Sequence, residues 1–82
     1  MRFIWGNGTG DVRLARVLDD RARQVATVTL DRTASEGTWY FSWEAPDGES
    51  GEGNLSAARV SDAKRACEEE VAFAISSGQT GD

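Results

Sequence analysis

Residues 37–53 read GTWYFSWEAPDGESGEG, and no other stretch restricts the fold of this chain as much. A strand turns successive side chains to opposite faces. Trp39, Phe41 and Trp43 therefore share one face, and Tyr40, Ser42 and Glu44 share the other. Pro46 pre-sets the second position of a turn and Gly48 suits its exit, so APDG reverses the chain. The ESGEGNL segment that follows reads as a weak edge strand, because glycine brings no side chain to pack.

Alternation and turn chemistry also govern what precedes it. RFIW is a short apolar run, and the GNGTG behind it holds an Asn-Gly pair suited to positive-φ turn positions. DVRLARVL reads as a strand with Val12 and Leu14 on one face; Ala15 and Val17 fall out of phase, which predicts a bulge. DDRAR is a polar connection. QVATVTL is rich in β-branched residues, with Ala26, Val28 and Leu30 on one side and Val25, Thr27 and Thr29 on the other. DRTASEG is another loop.

Beyond Leu55 the period changes to 3.6. Val60, Ala63, Cys67, Val71 and Ala74 fall on one stripe, flanked by Ala66, Phe73 and Ile75. Ser61 followed by Asp62 predicts the helix N-cap, with Ser56 as the alternative, and Gly78 predicts the stop. Lys64–Glu68 and Arg65–Glu69 are i,i+4 pairs on the outer face. The expected fold is α+β: an antiparallel meander of about four strands with one C-terminal helix packed on one face. The aromatic triplet is the bulk that covers the helix's small residues. Residues 1–76 form a single domain and 77–82 a flexible tail, since a chain of 82 residues has no room for a second core.

Catalysis is poorly supplied. There is no histidine, so the commonest general acid–base group is missing. The single cysteine, Cys67, lies on the helix's apolar stripe with no evident activating base, and it can form no disulfide within the chain. Zinc lacks ligands, and the acidic APDGESGEGN departs from the spacing of a calcium loop. GNGTG is not a G-x-G-x-x-G loop and precedes a strand rather than a helix. Asp19–Asp20 and Glu68–Glu70 are carboxylates with no cleft to converge in. Glu70, the member nearest the buried stripe, needs an arginine partner or a binding role. No enzyme, cofactor or metal is expected. Neither a signal peptide nor a segment of ~20 apolar residues is seen, and one cysteine fits a reducing, cytoplasmic compartment.

Charge is unevenly placed. Residues 1–43 hold six arginines against five acids; residues 44–82 hold three bases against nine acids, and the net charge is −5. Such a surface repels phosphates, so direct DNA or RNA binding is not expected. It favours a protein partner with a basic surface. Glu44, Asp47, Glu49 and Glu52 surround the turn, with Tyr40 beside them as an aromatic platform. Glu68 and Glu69 add carboxylates from the helix. These seven residues form the expected partner-binding set. The thin edge strand also admits pairing by another chain, as a homodimer or by strand addition.

Two resemblances follow. GTWYFSWEAPDGESGEGNLS with DAKRACEEEV, about half the chain, resembles the strand–turn–strand–helix of HicB-type antitoxins, which implies a regulatory subunit for a small basic toxin. The resemblance ends with the helix and does not extend to the further strand and DNA-binding module of that family. A small, acidic, histidine-free chain is also similar in type, though in no motif, to phage-encoded anti-CRISPR proteins. That likeness implies a non-enzymatic inhibitor, acting in the host bacterial cytoplasm, that blocks a nucleic-acid-handling defence complex.

Overall fold

The computed structural model describes residues 1–6, 12–34 and 36–80. Five strands, β1 (Arg2–Trp5), β2 (Val12–Leu18), β3 (Gln24–Arg32), β4 (Thr38–Glu44) and β5 (Ser50–Ser56), precede one helix, α1 (Val60–Thr80). The strands form one antiparallel sheet in the order β1-β2-β3-β4-β5, each paired with its neighbour in sequence. The α+β meander with a C-terminal helix is therefore present, with one strand more than expected. The extra strand is RFIW, too short to be counted from its pattern alone but fully paired with β2. The Asn7–Gly8 turn lies outside the described residues.

One face of the sheet carries the core. Ala15 and Val17 of β2, Ala26, Val28 and Leu30 of β3, Trp39, Phe41 and Trp43 of β4, and Leu55 of β5 are buried against Ala63, Cys67, Val71 and Ile75 of α1. The helix's i,i+4 spacing keeps those four in line, and small side chains at its centre leave room for the indoles. Ile75 rather than Ala74 completes the stripe. Phe73, expected as a flank of it, is 73% exposed.

The expected bulge exists but falls elsewhere. Val12 and Leu14 face away from the helix and Ala15 and Val17 towards it by plain alternation, while the register slips between Val17 and Leu18. Val17 pairs with Ala26 and Leu18 with Gln24, so Val25 is the extra residue. The bulge places Val25 against the core rather than beside Thr27 and Thr29.

The glycines of β5 do pack something. A Cβ on Gly51 would lie 2.5 Å from Trp43 Nε1, and one on Gly53 would lie 2.9 Å from Phe41 Cε1. The rings of β4 therefore extend over the bare backbone of β5 and close the core at that edge.

Two hairpins share one turn design. In the β4–β5 connection the Gly48 N–H donates to the Ala45 carbonyl and the Ala45 N–H to the Glu49 carbonyl, with Gly48 at φ 98°. In the β2–β3 connection the Ala22 N–H donates to the Asp19 carbonyl and the Asp19 N–H to the Arg23 carbonyl, with Ala22 at φ 62°. Both are three-residue loops that end in a left-handed residue.

The helix starts between the two expected caps, two residues before Ser61 and three after Ser56. The Ala63 N–H donates to the Arg59 carbonyl, so Arg59 occupies the cap position and Ser61 lies inside the first turn. The Trp39 indole explains this start, because its Nε1 donates to the Ala57 carbonyl at 3.2 Å and fixes the chain just before α1. At the other end the helix runs through Gly78 to Thr80.

Candidate functional site

The face of the sheet turned away from α1 has no covering layer among the described residues. Its rows follow from the register. Ile4, Arg16, Thr27, Glu44 and Ser50 lie side by side, as do Leu14, Thr29, Ser42 and Glu52. The face is polarised as a result. Its β1–β2 end carries Arg2 and Arg16 together with Leu14, which is 53% exposed, and its β4–β5 end carries Glu44 and Glu52. Between them the short side chains of Thr27, Thr29, Ser42 and Ser50 floor a shallow depression rimmed by Glu44 and Glu52.

Tyr40, Glu44 and Glu52 are thus brought to one side by strand parity. Tyr40 faces Asn54 directly and Glu52 on the diagonal. Burial first, then the Glu52 carboxylate with its charge and its hydrogen bond to the phenol, pushes the Tyr40 hydroxyl above its ordinary value. The phenol accordingly stays protonated and can donate. Asp47 and Glu49 stand in the turn at the end of the same hairpin. Asp47 Oδ1 accepts the Glu49 N–H at 3.0 Å, so part of its hydrogen-bonding capacity is used locally.

Glu68 and Glu69 lie apart from these. They belong to α1, on the opposite side of the sheet, and the seven residues do not form one patch. Glu68 is half-buried and accepts the Trp5 indole Nε1 at 2.7 Å, while Lys64 Nζ lies 5.4 Å from the centroid of the Trp5 ring. Lys64 and Glu68 therefore bracket Trp5 rather than forming a helix-surface pair, and neither this pair nor Arg65–Glu69 is an ion pair. Glu70, expected nearest the core, is exposed. The helix leans its Glu68 flank towards β1, which reverses the order inferred from the wheel. Trp5 gave no sequence signal for this contact, since its partner is 63 residues away.

A second concavity was not foreseen. A groove of about 360 Å³ runs between the β2–β3 turn, the β4–β5 turn and α1, floored by Val25, Trp43, Pro46 and Ile75. Asp19 stands at its rim. It accepts the Arg21 N–H at 2.8 Å, the Arg23 N–H at 2.9 Å and Arg23 Nε at 3.0 Å. Chiefly through the Arg23 N–H, its carboxyl is held below the usual range. These bonds serve the turn, so Asp19 has little to offer a ligand.

Cys67 is buried. Burial first, then the charges of Glu68 and Glu70, pushes its thiol up to about 12, so it is no nucleophile at neutral pH. Among the described residues no group of three or more Cys, Asp and Glu is placed to hold a metal ion. No helix is long and apolar enough to cross a membrane. No protein family, no curated protein and no solved structure matches the chain.

Proposed function

We propose that this chain acts by binding another protein, with the β4–β5 hairpin as its contact surface. One observation carries the reading: residues 38–56 include Glu44, Asp47, Glu49 and Glu52 and no lysine or arginine, and they form an edge of the sheet with an uncovered face. Four carboxylates along one hairpin, with the protonated Tyr40 phenol against Glu52, suit a surface rich in lysine and arginine, and they raise its rate of encounter. The partner in this reading is a basic subunit of a nucleic-acid-handling defence complex in a bacterium, which the chain blocks stoichiometrically as a phage-encoded, anti-CRISPR-like inhibitor. The carboxylates share the sign of the phosphates that the basic surface of such a complex binds, which supports that choice.

The order β4, Pro46 turn, β5, α1 supports a second reading, a HicB-like regulatory subunit for a small basic toxin. Retrieval with a tagged chain separates the two. From lysate containing CRISPR effector complexes, the inhibitor reading expects an effector complex to be recovered at low salt and lost at moderate salt. It also expects Glu44→Lys, Asp47→Lys, Glu49→Lys and Glu52→Lys together to abolish recovery with the circular dichroism unchanged. Full recovery by that variant would overturn the acidic-hairpin reading. Recovery of a small basic protein alone would favour the second.

A further inference from the structure

The β4–β5 ladder determines which backbone groups of the edge strand remain unused. The Ala57 N–H donates to the Gly37 carbonyl at one end, and the Ala45 N–H donates to the Glu49 carbonyl at the other. Bonded and non-bonded positions alternate along an antiparallel pair. Gly51, Gly53 and Leu55 therefore turn their N–H and C=O groups to β4, while those of Ser50, Glu52, Asn54 and Ser56 point out of the sheet. Nothing among the described residues meets them. β5 is seven residues long and the opposite edge, β1, only four.

What flanks this edge differs on its two sides. On the uncovered face Glu52 is exposed, with Glu44 one strand away. On the other face lies α1, which passes closest to β5 and β4. At about 100° per residue, Glu68 and Phe73 stand on opposite flanks of Cys67. Glu68 meets β1 through Trp5, so Phe73 and the half-buried Ala66 and Ala74 stand on the β5 side. An incoming strand would find acids on one side of its backbone and, on the other, a largely exposed phenyl ring with the exposed Glu70 on the same flank of the helix.

We propose that β5 takes up an extended, basic segment of the protein partner as a sixth strand. Lysines or arginines at alternate positions lie over Glu52 and the acids of the adjacent turn, and aliphatic side chains between them pack towards Phe73. This rests on the acidic-hairpin reading and adds to it a backbone-mediated mode of recognition. A second copy of the chain suits the edge badly. Self-pairing would set a hairpin with four acids and no base against its own image, in a protein of net charge −5.

Asn54→Pro separates the two layers of the argument. Proline is tolerated on an edge strand where the N–H faces solvent, so this variant removes one outward donor and leaves every acid in place. The probe is an alternating lysine–valine peptide long enough to span the seven residues of β5, followed by amide exchange and nitrogen-15 NMR at low salt. The expected result is slowing of the Glu52 and Asn54 amides by about tenfold at saturation. Binding weakens about fivefold in Asn54→Pro, as the loss of one hydrogen bond implies. It disappears when the peptide is N-methylated at alternate residues, a change that leaves the protein untouched.

If the peptide binds Asn54→Pro and is bound equally well when N-methylated, yet Glu44→Lys with Glu52→Lys abolishes binding, strand addition is overturned and the acidic surface stands. Failure of the peptide to bind, or indifference to the charge reversal, overturns both. Slowing of the same amides with rising protein concentration, in the absence of peptide, would identify a second copy as the occupant and overturn the proposal.

Discussion

Gly51→Ala tests whether the glycines of β5 exist to receive aromatic rings. The new Cβ would lie 2.5 Å from Trp43 Nε1, 3.0 Å from Cε2 and 3.2 Å from Cζ2, whereas carbon contacts are favourable near 3.5–4.0 Å. The indole must move by about 1 Å, and it is 7% exposed and packed in the core. Overpacking of this kind costs about 1–3 kcal/mol. Removing a glycine from a strand offsets about 0.5–1 kcal/mol of that through the unfolded chain. The expected net loss is about 1–2 kcal/mol. Gly53→Ala should lose less, since its closest approach, to Phe41 Cε1, is 2.9 Å. Urea unfolding followed by far-ultraviolet circular dichroism reads the loss as a midpoint lower by roughly 1 M, with the slope unchanged. The decisive arm is a double-mutant cycle with Trp43→Leu, which removes the ring that the Cβ would strike. In that background Gly51→Ala should be neutral or mildly stabilising. Equal losses in both backgrounds, or a stabilised single variant, would refute the argument.

Two further expectations concern the turns and the buried thiol. Ala22→Gly should stabilise the protein by about 0.5–1 kcal/mol in thermal unfolding, because Ala22 holds φ 62° at the position where the sister turn has Gly48. Cys67 has a folded-state pKa of about 12, raised from 9.0. The unfolded chain therefore releases this proton first, and the stability it contributes is complete below pH 9 and lost as pH rises towards 12, at about 1.4 kcal/mol per pH unit. Cys67→Ala should lack that component of the alkaline decline, and denaturation titrated from pH 8 to 11 checks it.

The parts of the fold carried by periodicity were open to reading from the sequence. Alternation placed Trp39, Phe41 and Trp43 on the core face, Pro46 and Gly48 marked the reversal, and the 3.6-residue stripe marked a helix lying on a sheet. What could not be read depends on contacts between distant segments. Val25 turns inward only because β2 and β3 slip register beside it. Gly51 and Gly53 look inert until the rings across the ladder are known. The helix start depends on the Trp39 indole reaching Ala57, against the local preference of Ser61. The candidate site divides in the same way. Strand parity put Tyr40, Glu44 and Glu52 together, but the separation of Glu68 and Glu69 from them follows from the sheet lying between. The engagement of Glu68 by Trp5 joins the two ends of the chain.

The meander assembles from sequence neighbours, a low-contact-order route that favours rapid formation, but its cover follows it in the sequence. At ~5–20 residues per second, the 21 residues of α1 take roughly one to four seconds to synthesise. Until α1 docks, the apolar face formed by Ala26, Val28 and Leu30 of β3 and the aromatic triplet of β4 lacks its lid. Nascent copies on one messenger would then be at risk of stacking sheet on sheet. The carboxylates of the β4–β5 hairpin are already in place at that stage and set like charge against like along the open edge, where charged residues guard exposed strands against aggregation. The same acids that form the contact surface of the finished protein would thus keep its unfinished copies apart.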